Sequence, residues 1–94
     1  MAQQGRVSVP ASTWTQVTNG DVTNITFQCF ANAPVFIKAT AGAVAPTTTE
    51  GALRYRSGYG EVDKAIASLF PGVTSPTRVY AFCEAGAQVE VGHA

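Results

Sequence analysis

The sequence predicts an all-β chain: a small antiparallel β-sandwich or barrel of about seven short strands, with one short helix near residues 62–70. Val, Thr, Phe and Tyr recur in short runs punctuated by Pro and Gly. Several of those runs alternate apolar and polar residues, the period of a half-buried strand. Only one stretch switches to a helical period.

Arg6–Val9 reads as a first strand, ended by Pro10, and Thr13–Thr18 as a second, closed by the turn sequence Asn19-Gly20-Asp21. Thr23–Phe30 is the clearest strand, with Thr23, Ile25, Phe27 and Cys29 on one face and Asn24, Thr26 and Gln28 on the other. Ala31–Pro34 is a short connection to Val35–Thr40, and a hairpin between these two strands is the expected pairing. Ala41–Thr49 is an uncharged loop rich in Ala, Pro and Thr. Gly51–Arg56 follows as a strand with Leu53 and Tyr55 on one face and Arg54 and Arg56 on the other, and Ser57–Gly60 is a turn.

Val62, Ala65, Ile66, Leu69 and Phe70 are spaced as the stripe of an amphipathic helix over Glu61–Phe70. Glu61 and Asp63 stand at its start, where the helix dipole favours acids, and Pro71-Gly72 stops it. One or two turns are expected there, after a strand residue or two. Thr77–Glu84 carries apolar residues on both faces and so belongs in the middle of a sheet; Ala85-Gly86 turns into a last alternating strand, Ala87–Val91. The expected core is Ile25, Phe27, Ile37, Leu53, Val79, Ala81 and Val89.

Ninety-four residues make one domain, 1–94, whose polar residues 1–5 are expected to form a flexible or partner-ordered arm. Six acidic residues balance six basic ones, and only 13% of residues are charged, against about 25% in an average domain. A low-charge, near-neutral surface is poorly protected against association, which suits a protein of an assembly. The balance excludes nucleic acid as main partner, because phosphate binding needs clustered Lys and Arg. No apolar run is long enough for a membrane helix, and Met1–Arg6 has no apolar signal region. Assembly in a cytoplasm is therefore expected.

No catalytic, metal or cofactor constellation stands out, and no enzyme is expected. His93 is the penultimate residue with no nucleophile or carboxylate near it in sequence. Gly58-Tyr59-Gly60 lacks the pattern of a phosphate cradle and reads as a turn. Asn24-Ile25-Thr26 is formally a glycosylation sequon without a secretory context. Cys29 and Cys83 match no metal or redox motif, leaving buried free thiols or a disulfide between neighbouring strands. Trp14, Tyr55, Tyr59 and Tyr80 could stack on sugars, although core packing and subunit contacts use the same residues.

Taken together, several phrases carry a likeness: Val7-Ser8-Val9-Pro10-Ala11, Thr13-Trp14-Thr15-Gln16, Asn19–Gln28, Pro34–Thr40, Ala45-Pro46, Glu50–Leu53, Ser68–Gly72, Arg78–Ala81 and Val89–Ala94. The chain from Val7 onward resembles small virion proteins of tailed bacteriophages and gene-transfer-agent-like particles. The resemblance implies a β-sandwich that decorates or cements the outside of a capsid. Its implied partner is the major capsid protein, its implied assembly a homotrimer or other homo-oligomer, and its implied place the virion. A tail, connector or fibre-base component, and a soluble carbohydrate- or ligand-binding module, are the competing functions. Composition points to an interface from the N-terminal segment with Arg6, the Ala41–Thr49 loop with Val44 and Pro46, and the surface around Arg54, Arg56 and Tyr59. The loop carries no charge, as a covered segment would, and Arg and Tyr are typical interface anchors.

Overall fold

The computed structural model describes residues 2–94 and folds as two antiparallel sheets packed face to face. The strands are β1 (Gln3–Val9), β2 (Thr15–Gln16), β3 (Asn24–Phe30), β4 (Val35–Thr40), β5 (Leu53–Tyr55), β6 (Gly60–Ala65), β7 (Arg78–Phe82) and β8 (Ala87–His93), with one helical turn, α1 (Ile66–Leu69). The first sheet runs β1-β8-β3-β6 and the second β2-β7-β4-β5. This is the expected sandwich.

The core forms because each strand buries alternate residues. β3 alternates strictly, with Ile25, Phe27 and Cys29 buried between exposed neighbours. They meet Val35, Ile37 and Ala39 of β4 and Val79 and Ala81 of β7, with Val89 and Val91 of β8 beside them. Of the expected core residues only Leu53 is half-buried, because β5 is a three-residue edge strand. β7 lies inside its sheet, between β2 and β4, as its two apolar faces require.

Four expectations are corrected. First, β1 starts at Gln3 and not at Arg6, and it pairs with β8 without interruption from Gln3↔His93 to Val9↔Ala87. Residues 3–5 are therefore strand and not arm, while Met1 lies outside the described residues. The polar start is ordered by Gln3, whose amide donates to the Val17 carbonyl at 3.1 Å and accepts from the Asn19 N–H at 2.9 Å. Second, β3 and β4 make no hairpin. The Ala31–Pro34 connection carries the chain from one sheet to the other, so two strands that both bury alternate residues face each other across the core.

Third, the helix, a single turn within the one or two expected, starts only at Ile66. Residues 60–65, on which the apolar stripe begins, are instead an edge strand beside β3. Val62 is consequently 77% exposed, and only Ile66 and Phe70 of the stripe are buried. Glu61 and Asp63 belong to that strand and not to a helix start. Fourth, the second expected strand, Thr13–Thr18, shrinks to Thr15–Gln16. The loop after β4 is irregular, as expected.

Candidate binding surface

Period-two alternation gives each sheet an outer face, and the two faces differ. On the second sheet Phe36 pairs with Phe82, and Ile37 with Ala81. Ile37 and Ala81 point inward, so Phe36 and Phe82 point outward. Trp14, just before β2, completes a row of half-buried rings. Trp14 and Phe82 lie 5.2 Å apart between centroids at 37°, and Phe82 and Phe36 6.3 Å apart at 57°. Arg54, opposite Phe36 on β5, ends the row with its guanidinium 6.0 Å from the Phe36 ring centroid, in reach of a cation–π contact.

A second row runs alongside. The Tyr80 hydroxyl donates to Gln16 Oε1 at 3.1 Å, and Arg78 bridges to Asp21 at 2.8 Å. That bridge holds the Asp21 carboxyl below its ordinary range, the hydrogen bond being the largest cause. Lys38, next to Tyr80, donates from Nζ to the Thr48 carbonyl at 3.2 Å, which tethers the 41–52 loop to this side of the sandwich.

The outer face of the first sheet is mainly polar, with Phe30 and Val62 its exposed apolar residues. Its strands present Gln4, Arg6 and Ser8, then Gln88, Glu90 and Gly92, then Thr26, Gln28 and Phe30. Its one ion pair joins Arg6 Nε to Glu90 Oε2 at 2.6 Å, and the hydrogen bond to Glu90 is the main reason the Arg6 guanidinium is held above its ordinary pKa.

The sequence-predicted interface residues are thus spread over the molecule. Arg54 ends the aromatic row. Val44 is 66% exposed on the tethered loop, and Pro46 of that loop is half-buried. Arg56 is exposed beyond β5, beside the Ala31–Pro34 connection. Tyr59 is exposed on the turn into β6, its carbonyl accepting from the Cys29 N–H at 2.9 Å. Arg6 lies on the other outer face. Trp14, Phe36 and Phe82 were not singled out for this surface by the sequence. Their signal was the aromatic residue on the expected outer side of an inward-apolar strand, but only the β4–β7 register makes it a row.

Other groups have structural partners. His93 Nε2 lies 2.8 Å from Gln3 Oε1 and Nδ1 3.0 Å from the Ala94 carbonyl oxygen. Cys29 and Cys83 are buried free thiols, and burial pushes Cys29 up to about 12. A thiol so protonated is a poor nucleophile. Tyr55 donates to Glu61 at 3.0 Å and packs edge-on against Phe27; burial first, then that hydrogen bond, raises its pKa well above the ordinary tyrosine range. Among the described residues no cluster of three or more His, Cys, Asp or Glu is placed to hold a metal ion. Among the described residues no helix is long and apolar enough to cross a membrane.

The architecture defines the class: an antiparallel β-sandwich with one aromatic and one polar outer face. No family model, no curated protein and no solved structure matches the chain.

Proposed function

We propose that this chain is a non-enzymatic structural protein of a virion, a decoration or cement protein that seats on the outer surface of a phage-type head and stabilises it. Its partners in this reading are the major capsid protein and further copies of itself. The observation that carries the reading is the half-exposed row Trp14–Phe82–Phe36 ending in Arg54. Aromatic residues and Arg are the anchors of protein interfaces, and a row of them on a rigid sheet loses little entropy on docking. The low charge of the chain suits a surface that spends its life covered. The resemblance noted in the sequence supplies the capsid as the partner.

The rings are tilted against one another by 37° and 57°, so they form an interlocking ridge and not one flat platform for a sugar. That favours a protein partner over a glycan.

The test is a mass-spectrometric copy count of this chain in purified particles, joined to rebinding of the Phe82→Asp and Arg54→Ala variants to particles stripped of it. Copies in the hundreds and loss of rebinding by both folded variants are expected. A single ring's worth of copies would move the protein to a connector or tail. Absence from particles would end the virion reading.

A further inference from the structure

Each sheet has two edges, and three of the four are guarded. β2 and β5, the edges of the second sheet, are two and three residues long. Short edges offer little to pair with. β6 is longer but broken by a bulge. Between Ile25↔Lys64 and Phe27↔Glu61 the β6 strand carries one residue more than β3. Asp63 stands at that bulge with a left-handed φ of 48°, held by its N–H to Thr26 Oγ1 at 2.8 Å and by Asn24 at 3.2 Å. A bulge with charged neighbours is a standard block to strand addition.

β1 has none of these devices. It is seven residues long, its register with β8 is unbroken, and its one charge, Arg6, is matched by Glu90 of its own chain. The direction of its free groups follows from alternation. Cys29 of β3 bonds towards the β6 side, through its N–H to Tyr59 and its carbonyl to Gly58. The even residues of β3 therefore bond β8, the even residues of β8 bond β3, and the odd residues of β8 bond the odd residues of β1. The N–H and C=O groups of Gln4, Arg6 and Ser8 are left on the open edge. Among the described residues no turn, loop or side-chain hydrogen bond reaches them.

We propose that this edge pairs with the same edge of a second copy, antiparallel about a two-fold axis at Gly5. The strand complements itself in that register. Gln4 stands opposite Arg6 of the second copy and Arg6 opposite its Gln4, so each exposed guanidinium faces a neutral amide that can accept from it. An axis at Arg6 would set two like charges directly opposite, which destabilises a strand pair. Gly5 on the axis suits the close approach of a non-hydrogen-bonded pair, about 4.5 Å between Cα atoms, and the space where its Cβ would stand is open. Recognition here is by backbone hydrogen bonds. The product is one sheet continuous through both copies, and it leaves both aromatic faces uncovered. The inference does not depend on the virion reading, because the contact exists in solution.

The experiment is sedimentation equilibrium of the full chain over a wide concentration range, with two variants. Gly5→Lys adds a side chain into open space, at a residue without left-handed φ, and sets two ammonium groups across the axis. Gln4→Pro removes an N–H that faces the open edge and leaves the bonds to β8 in place. Each variant is first shown to melt as a folded monomer. The wild-type chain should dimerise, and each variant should raise the dissociation constant at least about tenfold, as like-charge apposition and lost strand bonds require. A wild-type chain that stays monomeric throughout overturns the proposal. So does a folded variant of either kind that dimerises as tightly as wild type.

Discussion

The two outer faces of the sandwich rest on the same kind of strand, with the same alternation and the same buried inner side, yet they are made for different surroundings. The face over β7 and β4 carries the half-buried rings of Trp14, Phe82 and Phe36, with Tyr80 buried beside them. The face over β8 and β3 carries glutamines, threonine and one exposed ion pair, with Phe30 and Val62 as its exposed apolar residues. Both cover the core equally well, since the core is closed by inward residues alone. The lesson is that the outward positions of a small sandwich are free to be chosen for contact, and on one face they have been chosen as rings. Rings left half in water gain nothing there that Thr or Gln would not, and gain most when a partner covers them.

The comparison is sharpened by truncation, and the largest effect should come from the inner side that both faces share. Phe27→Ala removes a ring 3% exposed that packs edge-on against Tyr55. A cost of about 3–5 kcal/mol in urea unfolding is expected from lost transfer energy and the cavity left behind. A cost below about 1 kcal/mol would mean that β3 does not bury this face.

Phe82→Ala on the aromatic outer face should cost less, about 1–2 kcal/mol, because the ring is half-buried but touches two neighbouring rings. A loss equal to that of Phe27 would make this face a second core and not a surface. The same variant should lose particle binding well beyond what its stability loss explains, which separates contact from packing.

Much of this contrast was legible in the sequence. Thr23–Cys29 announces its buried face by alternation, and the two-sided apolarity of Thr77–Glu84 announces a strand inside its sheet. What was not legible was pairing. β1 pairs with β8, and β2 with β7, across most of the chain, and no local pattern encodes such a partner. The hairpin expectation failed for this reason. Residues 60–70 failed for another: Val62, Ala65, Ile66 and Leu69 fit a helical stripe, but the β3 edge offered residues 60–65 a ladder. Gly60 allows the approach, since a Cβ there would stand 1.8 Å from the Phe27 carbonyl oxygen. The aromatic row was half legible, its residues visible and their adjacency not.

A smaller effect is expected from alkali, and it belongs to the inner side again. Cys29 and Tyr55 both have raised pKa values in the folded chain. Each favours its neutral form when folded, so the stability they contribute is complete below their unfolded values. It is lost as pH climbs towards the folded ones. The urea midpoint should fall from about pH 8 upward, where an unfolded cysteine begins to ionise. Cys29→Ser would remove the thiol contribution and flatten the early part of that fall. An unchanged profile in that variant would show that burial of Cys29 is not its cause. Neither Phe82 nor Gln28 titrates, so the Phe82→Ala and Gln28→Ala variants should keep the wild-type shape of the curve.

The smallest effect should come from the polar face, and its smallness is the point. Gln28 sits in the middle of that face, exposed, with its amide donating to the Gly58 carbonyl at 2.9 Å. Gln28→Ala removes that bond, but both the lost partner and the freed carbonyl remain in reach of water, so no buried group is left unsatisfied. Stability should change by no more than about 0.5 kcal/mol. Particle binding should not change at all, because this face lies on the far side of the sandwich from the row at Phe82. Measured beside Phe82→Ala, the pair separates two meanings of exposure. If Gln28→Ala weakens particle binding as much as Phe82→Ala does, while both variants stay folded, the polar face is the adhesive one. The aromatic row would then be only an outer layer of packing.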